Sequence, residues 1–238
     1  MSTLASGLYS PQASILIPPP GGCSFYIISK EVFSPMNNVL IRLEQPGDYR
    51  TVEELTRDAF WDVYKPGCDE HLVAHRLRSH PDFIPELDFV ALDGDRIVGN
   101  IMYSRAAIVQ PDGTRFPIVI FGPLSVHPDC QRRGVGTALV RHSLEQTREM
   151  GFAGVALTGS PDYYPRFGFR PGRDFGITDA EGNSSDYLMA LPLTAAPLPA
   201  GVLTESEVFF SITPADVEAF DATFPPREKH RLPGQLFG

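Results

Sequence analysis

The spacing of apolar and polar positions divides the chain near residue 36. Before it, no period of two or of 3.6 residues is sustained. Ser, Pro and Gly dominate there and charge is almost absent, so residues 1–35 read as a flexible N-terminal extension. After it the pattern becomes regular. Val39-Leu40-Ile41-Arg42-Leu43 predicts a short strand. Pro46-Gly47-Asp48 opens a helix in which Val52, Leu55, Ala59 and Phe60 recur at helical spacing. A second helix is expected over 69–78, with Leu72, Val73 and Leu77 as its buried stripe. Apolar runs at 88–92 and 97–103 flank Asp93-Gly94-Asp95, a hairpin signature. A further turn, Pro111-Asp112-Gly113-Thr114, leads into a third long strand over 116–126.

The second half changes style. Residues 134–150 form a helical pattern, with Leu139, Val140 and Leu144 on one face and the small Ser143 and Thr147 beside them. A strand over 152–157 follows. Strand, helix and strand with short joints make a βαβ unit, which implies a parallel pair. Residues 176–185 read as a polar loop, 187–191 as one more strand, and 192–201 as an irregular connection. Thr213-Pro214-Ala215-Asp216 supplies a cap and a proline for a short helix to about Phe220. Three segments result: the extension, a main domain over 36–192, and a C-terminal extension over 193–238.

Composition narrows this picture modestly. The chain has 238 residues and 42% apolar content, enough for a substantial core. A formal net charge of -9 argues against a nucleic-acid partner, which needs a basic face. Cys23, Cys68 and Cys130 lie far apart without metal spacing, so they read as reduced thiols. No run approaches the ~18 apolar residues of a membrane span, and the first 22 residues lack the charge pattern of a signal peptide. A cytoplasmic location without membrane association is the expectation.

The chemistry concentrates at Val126-His127-Pro128-Asp129-Cys130-Gln131-Arg132-Arg133-Gly134-Val135-Gly136-Thr137. A strand ends, a proline stops it, and a helix begins. The first turn of a helix leaves N–H groups unpaired and carries partial positive charge. Gly134 and Gly136 lack Cβ atoms and let a phosphate approach those amides, while Arg132 and Arg133 add charge. An anion site suited to a diphosphate is expected. A Walker loop is excluded because no Lys follows the glycines, and a dinucleotide fingerprint because three glycines directly after a strand are missing.

What remains, Q-x-x-G-x-G after Leu124-Ser125-Val126-His127-Pro128, closely resembles the acetyl-coenzyme A loop of the GNAT superfamily of N-acetyltransferases. Tyr163-Tyr164-Pro165-Arg166-Phe167-Gly168-Phe169 resembles the Y-x-x-x-G-F segment of the same family. Together the likeness covers about residues 38–191. It implies an α/β fold: a mixed, mostly antiparallel twisted sheet whose parallel strand pair splays around acetyl-CoA, flanked by helices. It implies acetyl-CoA as cosubstrate, with its pyrophosphate on the amides of Gln131, Arg132, Arg133, Gly134, Val135, Gly136 and Thr137. It further implies pairing of the pantetheine arm along Leu124, Ser125 and Val126, where Gly122-Pro123 suggests a bulge. Tyr164, four residues before Gly168, is expected to protonate the departing thiolate.

The resemblance leaves the general base open. Residues 116–126 contain no acid, although many family members carry a Glu there, and Asp88, Glu86, His127 or a held water are the candidates. Phe60, Trp61, Tyr64, Phe83 and Tyr103 are candidates for lining the acceptor side. The expected activity is acetyl transfer to a primary amine of a small molecule, by direct attack in a ternary complex. A protein N-terminus or lysine as acceptor, and a non-catalytic acyl-CoA-binding module, remain as alternatives. A homodimer is the assembly the resemblance allows.

Overall fold

The computed structural model describes residues 39–235, so the extension read over 1–35 lies outside the described residues. Among the described residues, nine strands form one sheet: β1 (Leu40–Leu43), β2 (Phe89–Asp93), β3 (Arg96–Val109), β4 (Arg115–Val126), β5 (Gly154–Thr158), β6 (Arg170–Pro171), β7 (Ile177–Thr178), β8 (Leu188–Pro192) and β9 (Gly201–Thr204). The spatial order is β1-β2-β3-β4-β5-β8-β6, with β9 paired to both β3 and β7. Pairing is antiparallel except between β4 and β5 and between the short β7 and β9. The α/β fold with its mostly antiparallel sheet and central parallel pair is therefore present.

Four helices among the described residues accompany the sheet: α1 (Tyr49–Phe60), α2 (Glu70–Leu77), α3 (Val135–Glu149) and α4 (Pro214–Asp221). Alternation along the strands decides which helix covers which face. Phe89, Ala91, Ile101 and Tyr103 point to one side and join Val135, Leu139, Val140 and Leu144 of α3 in the largest core cluster. Val90, Leu92 and Ile97 point to the other and pack on Val52 and Leu55 of α1. Met102 packs there on Ala74 and Leu77 of α2. The fully buried Val, Leu, Ile and Met side chains among these each contribute roughly 1.5–3 kcal/mol of transfer free energy.

Two details of the sheet create the site. First, β4 and β5 pair only at Val119–Val155 and Ile120–Ala156, and they separate beyond. Second, Tyr103 lies opposite Phe121 while Ile101 lies opposite Leu124, so Gly122 and Pro123 face the single residue Met102. That is the bulge expected at Gly122-Pro123.

The C-terminal third departs from the sequence reading. The loop expected over 176–185 contains β7, and Gly201–Thr204 forms β9, which no pattern predicted. These strands are too short for periodicity to register; the long β3, which continues past Tyr103 to Val109, offers β9 an edge, and β9 in turn pairs with β7. Thr213 caps α4 as expected, accepting a hydrogen bond from the Asp216 N–H. After α4 the chain clasps α1. Arg57 Nε lies 2.7 Å from Asp221 Oδ1, and the Arg50 guanidinium lies 3.5 Å from the centre of the Phe224 ring.

Candidate active site

The cleft between the diverging strands begins at the start of α3. After β4 a single 3-10 turn, Pro128–Cys130, carries the chain off the sheet and buries Cys130. Gln131 Nε2 donates to the Val126 carbonyl at 3.2 Å and ties the loop back to the strand. Arg132 (φ +58°) and Gly134 (φ +93°) both adopt left-handed backbone, which brings the chain abruptly into the helix. No side chain caps α3. Among the described residues, the N–H groups of Arg132 through Thr137 have no protein acceptor. Six consecutive donors at a helix N-terminus form an anion site.

This loop and the end of β4 line a cavity of about 700 Å³. Leu124, Val126, Gln131, Arg132, Gly134, Gly136 and Thr137 all border it, together with Phe60, Tyr64, Tyr163 and Arg166. At Gly136 an added Cβ would come within 3.1 Å of the Tyr163 hydroxyl, so the absence of a side chain there keeps the cavity open. Open amides, a glycine-kept space and bordering guanidinium groups fit the diphosphate and arm of coenzyme A.

Three residues expected at this site do not border the cavity. Ser125 is buried, and its hydroxyl donates to Thr56 Oγ1 at 2.9 Å. Val135 is buried in the core beneath Gly99. Arg133 is partly buried, and its Nε lacks a hydrogen-bond partner among the described residues. Strand alternation and helical phase turn these side chains away, which leaves their main chain as the part available to a ligand.

A second cavity, of about 680 Å³, continues from the first and shares Phe60, Tyr64, Leu124 and Tyr163 with it. Tyr164 borders this half, packed on Phe121 with ring centroids 5.7 Å apart and on Phe169 at 5.9 Å. Burial holds its hydroxyl well above the ordinary tyrosine range, so it stays protonated. Tyr163 stands at right angles to it, 5.0 Å away, with the Arg166 guanidinium 4.5 Å from its ring.

Of the five aromatic residues considered for the acceptor side, only Phe60 and Tyr64 border the cleft. Trp61 turns to the C-terminal segment, its indole N–H donating to the Glu228 carbonyl at 2.9 Å. Phe83 packs against Met102 and α2. Tyr103 is fully buried, 2.9 Å from Ser143 Oγ.

The acids considered as base fare similarly. Glu86 and His127 border neither cavity, and His127 Nε2 lies 2.8 Å from Arg96 Nη2. Asp88 is buried away from the cleft, accepting from Asn100 Nδ2 at 2.9 Å and facing Glu44 and Arg78. Burial, then a hydrogen bond with Glu44, pushes its carboxyl up to about 9. Among the described residues, the carboxylate that does border the second cavity is Glu70, on the first turn of α2. In sequence it is indistinguishable from the acids that commonly favour a helix start.

The family model described as an acetyltransferase (GNAT) domain matches residues 41–172, more than half of the chain. Over 132 residues the chain is 32% identical to the uncharacterized N-acetyltransferase YhbS of Escherichia coli (strain K12), covering 55% of this chain and 73% of that one. It is 38% identical over 88 residues to the uncharacterized N-acetyltransferase YjhQ of the same strain, covering 37% of this chain. It thus spans about half (48%) of the length of YjhQ. Among solved structures, a GNAT family acetyltransferase from Brucella melitensis in complex with acetyl-CoA superposes with TM-score 0.59 and 28% identity, over 72% of this chain and 98% of that one. The YhbS crystal structure in complex with CoA gives TM-score 0.63 at 24% identity, over 72% and 91%, a likeness of fold. The loop that opens α3, the parted parallel strands and the family match agree: this chain belongs to the GNAT superfamily of acetyl-CoA-dependent N-acetyltransferases.

Proposed function

We propose that the protein moves the acetyl group of acetyl-CoA to a primary amine of a small molecule, by direct attack while both substrates are bound. The observation that carries this reading is the junction of the two cavities at Leu124, Phe60, Tyr64 and Tyr163. The α3 amides would hold the diphosphate, and the edge of β4 beyond Ile120, which β5 no longer covers, would take the pantetheine arm. Bound there, acetyl-CoA supplies an activated thioester.

The chain's own groups do the rest. The Leu124 N–H at the bulge is the donor for the carbonyl oxygen, since Pro123 has none. Tyr164, protonated at neutral pH, delivers a proton to the departing sulfur. Seventeen residues enclose the acceptor half, whose volume falls in the usual range for small-molecule pockets. The test is a screen of an amine library for free-thiol release from acetyl-CoA. A small-molecule amine acetylated with saturable kinetics is expected. Acetylation confined to protein or peptide amines would overturn the small-molecule assignment.

A further inference from the structure

Among the described residues, Glu70 is the only carboxylate bordering the acceptor cavity, and no Arg, Lys or His borders it. Its side chain accepts the Asp69 N–H at 3.1 Å, which fixes the carboxylate at the cavity wall. Around it stand Tyr64, Val73, Phe121, Tyr187 and Phe209, so a single negative charge sits in an otherwise neutral, largely aromatic space. Such a space welcomes a cation with an apolar body and offers a ligand's carboxylate or phosphate no cationic partner.

We propose that Glu70 is the general base of the acceptor half, and that the amine it serves carries an apolar or aromatic body without negative charge. This rests on the acetyl-transfer reading above. The amine enters as an ammonium ion, and two protons leave its nitrogen as the C–N bond forms and the C–S bond breaks. One passes to Glu70 and on to solvent. The other replaces the proton that Tyr164 gives to sulfur, so one proton is released per turnover.

The surroundings suit a base. Burial first, then the neighbouring Asp69 charge, push the Glu70 carboxyl up to about 7. The other ionisable groups near it are Lys65, which is ion-paired with Asp69, the Tyr64 hydroxyl, and the buried Cys68 thiol, which burial keeps protonated. Tyr163, Tyr164 and Tyr187 border the same cavity. A base must be deprotonated to act, so kcat/KM should fall as pH drops below about 7.

The experiment uses the full chain with acetyl-CoA and three probe amines: 2-phenylethylamine, phenylalanine and spermidine. The wild type should acetylate 2-phenylethylamine with kcat/KM about 100-fold above phenylalanine, whose carboxylate finds no cationic partner. Glu70→Gln should lower kcat/KM by ~100-fold or more and erase the limb near pH 7, with unchanged calorimetric affinity for acetyl-CoA. Glu70→Asp keeps the charge at the helix start but shortens the reach by one methylene. It should restore the melting temperature and not the turnover; restoration of both would reduce Glu70 to a structural acid. Equal turnover by Glu70→Gln, or preference for phenylalanine or spermidine, overturns the proposal. If acetyl-CoA binds and no probe is acetylated, the proposed acceptor class fails while the family assignment stands. If acetyl-CoA does not bind, the reading of the cofactor half is what fails.

Discussion

The two halves of the cleft are made of different material. The half proposed for the cofactor is built from main chain: six amides without an acceptor among the described residues, two glycines and a strand edge left bare where β5 turns away. The half proposed for the acceptor is built from side chains drawn from α1, α2, β4, β5 and the segments around Tyr164, Tyr187 and Phe209. A main-chain site can be damaged only by what occupies its space or redirects its backbone. A side-chain site can be rewritten one residue at a time. Substitutions in the two halves should therefore separate affinity from turnover.

The largest effect is expected at Gly136. Gly136→Asp places a Cβ 3.1 Å from the Tyr163 hydroxyl and a carboxylate at the proposed diphosphate site. Acetyl-CoA affinity should fall by ~1,000-fold, about 4 kcal/mol, by calorimetry. The far-ultraviolet dichroism should be unchanged. An unaltered dissociation constant would remove the diphosphate from the start of α3.

Tyr164→Phe probes the other half. Removing one hydroxyl should lower kcat by ~100-fold and leave acetyl-CoA affinity within about twofold. Burial keeps the Tyr164 hydroxyl protonated through the neutral range, so the deficit should be the same at pH 6 and pH 9. A deficit that shrinks across that range would assign the proton transfer to another group.

The same contrast explains what could be read from the sequence. The turn into α3 at Gly134 and the bulge at Gly122-Pro123 could be read because main-chain geometry constrains residue type at fixed local spacing, whereas the Gln131 N–H, read with the open amides, is donated to the Pro128 carbonyl. The helices followed from stripes such as Leu139, Val140 and Leu144. The acceptor half resisted because its walls converge from positions more than a hundred residues apart, from Phe60 to Phe209. No local period marks Tyr187 or Phe209 as cavity residues, and Glu70 looked like an ordinary first-turn acid. The side chains of Ser125 and Val135 turn away from the cavity for a related reason: a motif names a main-chain path, while alternation and helical phase decide where each side chain goes.

Asp88 sharpens the comparison from outside the cleft. Its carboxyl titrates at about 9 in the folded protein and near ~3.9 in the unfolded chain. Between those values the folded state binds the extra proton, so this group makes stability fall as pH rises, by at most about 1.4 kcal/mol per pH unit. Asp88→Asn keeps an acceptor for Asn100 and a donor for Glu44 without the titration. Denaturant unfolding at pH 5.5 and pH 8 should show the variant gaining on the wild type as pH rises, with acetyl transfer per folded molecule unchanged. Loss of turnover without loss of stability would return Asp88 to the list of bases.

The smallest effect is expected from a charge at the cofactor half. Arg132 is exposed, has no ion-pair partner among the described residues, and borders the cavity. If main-chain amides hold the diphosphate, an exposed guanidinium adds only screened attraction. Arg132→Ala should weaken acetyl-CoA binding about threefold in low salt, and the difference should fade as ionic strength rises to ~0.5 M. The left-handed backbone at this position (φ +58°) suits neither residue, so the substitution leaves the local strain nearly as it was. A loss as large as that from Gly136→Asp, persisting in high salt, would mean that the anion is gripped by a side chain and not by the opening turn of α3.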